Sequence, residues 1–146
     1  MIQIEMQRTS GNYGLEVRDS MGHVVHTDSS KDNGGDDKGF RPMQLMLAGL
    51  GSCSAIDMVS ILQKQKQVIS GLKIIVKGER EQDVIPSLWK TIQVHFQLSG
   101  DISFDKAKRA AELSIEKYCS VAETLRRAGA IISHTMEIVS ASNSAT

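Results

Sequence analysis

The stretch from Met43 to Leu62 constrains this chain more than any other. It is apolar over roughly 20 residues, about the length that crosses a bilayer. Gln44, Gly49, Gly51, Ser52, Ser54, Asp57 and Ser60 interrupt it, however, and an aspartate near the middle is costly in lipid. The reading is therefore a helix of a globular protein. Pro42 suits its first position, where a missing N–H costs nothing, and the pattern carries it to about Lys66. Met43, Leu45, Leu50, Cys53, Ile56, Met58 and Leu62 point nearly all the way round, so the helix is expected to be central and buried.

The segments on either side read as strands and shorter helices. Ile2, Ile4 and Met6 share one parity, turns follow at Gly11-Asn12 and Met21-Gly22, and Leu15–Val17 and His23–His26 make a second and a third strand. Residues 29–41 are polar and rich in Gly and Asp, and are expected to be a flexible loop. A second strand pair starts at Gly71, with Leu72, Ile74 and Val76 on one face, then Ile92, Val94, Phe96 and Leu98 on one face. Ser103 is the expected N-cap of a helix whose inner stripe is Phe104, Ala107, Ala111, Ser114 and Tyr118. Ser120-Val121-Ala122-Glu123 reads as a capping box that opens a fresh helix, stopped by Gly129. A last strand runs from Ile131 to Val139, and residues 141–146 are a loose tail. The order βββ-α-ββ-αα-β within one domain, 1–146, makes the fold class α+β.

Composition removes whole classes of function. Seventeen Lys and Arg balance 17 Asp and Glu, so no basic footprint for nucleic acid or an anionic membrane exists. Neutrality also lowers the charge repulsion between copies, which favours self-association. Two cysteines are too few for a disulfide scaffold or a four-thiolate zinc site. The N-terminus lacks a basic region followed by an apolar core, so a cytoplasmic location with reduced thiols is expected. His23 and His26 fall on opposite faces of a strand, and His95 and His134 on separate strands, so no metal is expected. Gly49-Leu50-Gly51 lies within a helix pattern and is no phosphate cradle.

Chemistry then rests on the cysteines. Cys53 lies mid-helix, with Gly49 and Asp57 one turn away on either side. The small residues around it leave room for a backbone, a ligand or another thiol. Asp57 would repel a thiolate, so Cys53 needs a cation, for which Arg8, Arg18 and Arg41 are candidates. Cys119 precedes the expected Ser120 cap, where a helix N-terminus lowers a thiol pKa. From the residues alone two readings stand side by side: two structural core cysteines, or a redox or nucleophilic pair.

A family resemblance adds to this. Arg41-Pro42-Met43-Gln44-Leu45, running on through Gly51-Ser52-Cys53, resembles the Pro-x-x-Leu-(x)6-Gly/Ala-x-Cys segment of the OsmC/organic hydroperoxide resistance family. Glu116-Lys117-Tyr118-Cys119-Ser120-Val121 looks like the family's second cysteine motif, and Ile132–Ile138 is similar to its closing strand. The run from Gly51 to Lys64 is similar to the YhfA-like branch. The resemblance implies an intertwined homodimer with central buried helices, and an interface pocket to which Gln44, Gly49 and Asp57 are assigned. It further implies a peroxiredoxin-like stress-response oxidoreductase without a cofactor. Cys53 would attack a small hydroperoxide, Cys119 would resolve the sulfenic acid, and a dithiol would reduce the disulfide. Peroxidase members carry a glutamate just after the proline, and this chain has Met43-Gln44 there. The other reading is therefore a non-catalytic dimer that binds a small apolar or electrophilic ligand.

Overall fold

The structure is a computed structural model that describes residues 1–140; the tail expected at 141–146 lies outside the described residues. The chain forms two compact units, Met1–Met46 and the part from Leu47 onward. The elements follow the expected order: β1 (Ile4–Ser10), β2 (Gly14–Asp19), β3 (Val24–Thr27), α1 (Pro42–Lys64), β4 (Val68–Arg80), β5 (Trp89–Asp101), α2 (Phe104–Leu113), α3 (Ser120–Arg127) and β6 (Ile131–Ile138). The fold class is α+β.

In the first unit β1, β2 and β3 make an antiparallel meander. Residues 29–41 are tied to its end. The carboxylate of Asp28, 4% exposed, accepts the backbone N–H groups of Ser29, Asp36 and Lys38 at 2.7, 3.1 and 3.1 Å. Phe40 N–H donates to the His26 carbonyl and Asp28 N–H to the Phe40 carbonyl, each at 3.0 Å. One buried aspartate thus organises a Gly-rich segment that has no apolar core of its own.

The second unit holds the hydrophobic core. Its sheet has the order β4-β5-β6, antiparallel between β4 and β5 and parallel between β5 and β6. A parallel neighbour needs a long crossover, which α2 and α3 supply. The register aligns Ile74 with Phe96 and Phe96 with Met136, so one face of three strands is apolar. Onto it pack Leu50, Met58 and Leu62 of α1 and Ala107, Ala110 and Ala111 of α2, all fully buried.

Three local expectations give way to tertiary context. The first helix ends at Lys64, where Lys66 at φ 57° turns the chain, and β4 starts at Val68 rather than Gly71. Glycine is needed instead at position 100, where φ is 135° and an added Cβ would sit 2.1 Å from the Val68 carbonyl oxygen. The chain after α2 widens into a π-helical turn over Ser114–Tyr118. Its extra residue per turn buries Ile115 and leaves Tyr118 50% exposed, and Phe104 also faces outward.

The largest departure concerns α1. By length and composition this helix, of mean hydropathy 1.8, is long and apolar enough to cross a membrane, yet only 28% of its most apolar window is buried. Its buried residues fall on one stripe, Leu50, Gly51, Ser54, Met58 and Leu62. Ile56 is 71% exposed. The described residues bury one side of this helix only.

Candidate functional site

The helix-breaking residues of α1 have a packing reason. A Cβ built on Gly51 would lie 3.1 Å from Val76 Cγ2, so glycine lets α1 approach β4 closely. Two residues on, Cys53 faces the turn that carries Cys119. Three groups meet there: the sulfurs of Cys53 and Cys119 and a carboxylate oxygen of Asp57 all lie within 4.8 Å of one another. Cys53 and Asp57 are four apart on one helix, so they share a face. Asp57 thus belongs to the site itself.

Cys119 is placed by an unusual cap. The expected capping residue was Ser120; the structure puts Cys119 at the N-cap of α3, and its own sulfur accepts the Ala122 N–H at 3.4 Å. Ser120 becomes the first helical residue. The preceding π turn holds Cys119 from the other side, with its N–H donating to the Ser114 carbonyl at 2.8 Å. Arg126, which looks in sequence like a solvated helix end, ties the turn together: Nη1 donates to the Ile115 carbonyl at 2.8 Å and Nη2 pairs with Glu116 at 3.2 Å. Beneath the sulfur, Ser54 Oγ donates to the Leu50 carbonyl at 2.6 Å and lies 3.7 Å from Cys119 Sγ. Ser114 Oγ in turn donates to the Ser54 carbonyl at 2.9 Å. The sequence places Ser114 on an inner stripe, and the structure buries it there, but nothing in the helical pattern signals its bond to the turn of Ser54.

The electrostatics reverse one expectation. A helix N-terminus lowers a thiol pKa, but Cys119 is 3% exposed, and burial pushes its thiol above the ordinary value. The Ala122 N–H opposes this shift, while the neighbouring Cys53 thiol adds to it. Burial likewise raises the carboxyl of Asp57, whose Oδ2 is buried without a hydrogen-bond partner among the described residues. Cys53 is the more accessible thiol. Under a small alkylating reagent at pH 7.5, Cys53 is therefore expected to react at least about tenfold faster than Cys119. Labelling of Cys119 should climb by about tenfold per pH unit until its raised pKa is reached. Peptide mapping by mass spectrometry checks the order, and equal rates would refute it.

The three candidate arginines lie in the first unit, where two of them pair with carboxylates. Arg18 pairs with Glu16, and Arg41 with Asp37 and, at 2.9 Å, with the Gly39 carbonyl. Arg8 is exposed on β1, opposite Leu15. Gln44 Oε1 accepts the Arg41 N–H at 2.9 Å, the return half of a capping box at the start of α1. Gln44 also lines a cavity of about 480 Å³ with Val24, Val25, His26, Lys38, Gly39 and Phe40. Gly49 is loosely packed, since an added Cβ would meet only Val121, at 4.0 Å.

Fold and site together define a dithiol protein on an α+β scaffold. The family described as OsmC-like protein matches residues 35–134. Protein YhfA of Escherichia coli K12 is 41% identical over 121 residues, 82% of this chain and 86% of that protein. Among solved structures, a hypothetical protein from Aquifex aeolicus VF5 has a TM-score of 0.81 at 27% identity, over 96% of this chain and 97% of that one. An organic hydroperoxide resistance protein OsmC from Legionella pneumophila has a TM-score of 0.71 at 14% identity, over 94% and 96%. The chain belongs to the OsmC-like protein family.

Proposed function

We propose that the protein is a thiol-dependent hydroperoxide reductase in which Cys53 attacks and Cys119 resolves. The observation that carries this reading is the approach of the two sulfurs to within 4.8 Å, from different helices, with one accessible and one buried. The Cys53 thiolate attacks a peroxide oxygen, the O–O bond breaks, and the departing alkoxide takes up a proton to leave as an alcohol. The Cys53 sulfenic acid then meets the Cys119 thiol, a disulfide forms and water leaves. An external dithiol returns both sulfurs to thiols. Family membership supports the substrate class, since structural relatives include organic hydroperoxide resistance proteins. The test is turnover of cumene hydroperoxide with a dithiol. Wild type is expected to turn over, and Cys53→Ser to lose about a thousandfold or more. No turnover, or turnover indifferent to Cys53, would overturn it.

A second reading is favoured by Gln44. Its side chain caps α1 and can form no ion pair with an arginine, so the charge-assisted activation of Cys53 that a glutamate would organise is lacking at this position. On that reading the chain binds a small apolar or electrophilic ligand without turning it over. The same assay separates the two.

Self-association is part of the proposal. In the unit from Leu47 onward, α1 leaves Ile56 71% exposed, and a second copy of the chain would cover that side of the helix. Light scattering should give twice the 16.0 kDa chain mass. Ile56→Lys should shift the molecule toward the monomer, and an unchanged mass would remove Ile56 from the interface.

A further inference from the structure

We propose that Cys53, Asp57 and Cys119 form a binding site for one soft, closed-shell divalent cation of the zinc class. The site stands whether or not the thiols turn over a hydroperoxide. Two donors come from one face of α1 at a spacing of one helical turn, which is how a helix offers a chelating pair. The third comes from the N-cap of α3, where the Ala122 N–H already bonds the sulfur at 3.4 Å and would stabilise a ligating thiolate. All three donor atoms lie within 4.8 Å of one another. A tetrahedral zinc ion with sulfur ligands at about 2.3 Å and an oxygen at about 2.0 Å needs donor separations of about 3.8 and 3.5 Å. From separations of 4.8 Å or less, the sulfur pair need close by at most about 1.0 Å and each sulfur–oxygen pair by at most about 1.3 Å.

A second observation points to a ligand independently. Asp57 is partly buried as a residue, but its Oδ2 is buried and has no hydrogen-bond partner among the described residues, an arrangement that costs free energy unless something occupies it. The crowding of two thiols and a carboxyl gives the same indication. Their ionised forms repel, so the cluster is neutralised either by protons or by a cation. Binding would release the thiol protons to solvent and leave two thiolates and one carboxylate on the ion. Two sulfurs exclude magnesium and calcium, which take oxygen ligands, and select a thiophilic ion. Three protein donors leave the fourth position to water.

The cation would occupy the same sulfurs that a peroxide attacks, so metal loading and oxidation exclude each other. In the oxidised protein the sulfurs share a disulfide and the site is gone.

The test is titration of the fully reduced protein with Co2+, followed by Zn2+ competition against a chromophoric chelator. One equivalent per chain is expected, with thiolate-to-cobalt charge-transfer absorption in the near ultraviolet. Cys53→Ser and Cys119→Ser should each weaken binding by about a hundredfold or more, and Asp57→Asn by about tenfold or more. The disulfide form should bind nothing. Zinc-edge X-ray absorption on the wild type, which needs no variant to fold, should show two sulfurs with lighter donors. Absence of the cobalt band, Asp57→Asn binding with wild-type affinity, or a zinc shell with any other number of sulfurs would overturn the proposal. A protein inert toward hydroperoxides but binding zinc through two sulfurs would leave it standing.

Discussion

Cys119→Ser is expected to change the fate of Cys53 rather than its first reaction. Cys53 is the more accessible thiol, and in the proposed mechanism its attack on a hydroperoxide would use no atom of Cys119. One equivalent of oxidant should therefore be consumed by both proteins. In wild type that event should remove two thiols, because on the proposed mechanism the sulfenic acid would find the Cys119 sulfur within 4.8 Å and condense with it. In the variant it removes one thiol and leaves a sulfenic acid that dimedone traps. Excess peroxide should then carry Cys53 to the sulfinic acid, which a dithiol does not reverse, so repeated turnover is lost. Thiol titration and intact mass distinguish the outcomes. Serine keeps an oxygen that can accept the Ala122 N–H, so the α3 cap survives the substitution and a folding defect should not confuse the result. A variant that still loses two thiols per oxidant, or withstands excess peroxide as wild type does, would remove Cys119 from the resolving role. The burial that raises the Cys119 thiol fits a resolving partner. Such a thiol stays protonated, and spared by oxidants, until a sulfenic acid forms beside it.

How much of this was readable in advance depends on whether a feature was local or tertiary. Pro42 opens α1, and the parity of Leu72, Ile74 and Val76 against Ile92, Val94, Phe96 and Leu98 gives the apolar face of the sheet, because both signals rest on covalent geometry. The motifs around Cys53 and Cys119 marked the two thiols. The capping residue was misread by one position, since Ser120 is the better intrinsic cap. The π turn at Ser114–Tyr118 rotates Cys119 into place and lets its sulfur take over. Nothing in a 3.6-residue period announces such a turn. Asp57 was legible as a neighbour of Cys53, but its juxtaposition to Cys119 depends on how the turn before α3 meets α1. The apolar circumference of α1 was legible and the expectation drawn from it was only half met. Sequence records which residues are apolar, and the elements available to one chain decide which of them are covered.

Phe96→Ala is expected to be the most destabilising single truncation in the core, at about 3–5 kcal/mol. Phe96 is fully buried and is the bulkiest of the fully buried side chains among the described residues. It stands in β5, the strand hydrogen-bonded on both sides, opposite Ile74 of β4 and Met136 of β6. A cavity there has little chance of collapsing, because strands on either side fix the backbone and α1 and α2 pack against the same cluster. For a chain of this length the loss corresponds to a fall of roughly 10–16 °C in Tm. The neighbouring position provides the control. His95 points to the other face of β5, where it bonds Thr135 Oγ1 at 2.7 Å and Glu137 at 3.1 Å, and His95→Ala should cost only about 1 kcal/mol. Denaturant unfolding of the two variants at one pH makes the comparison. If they lost similar stability, β5 would not separate an apolar face from a solvated one.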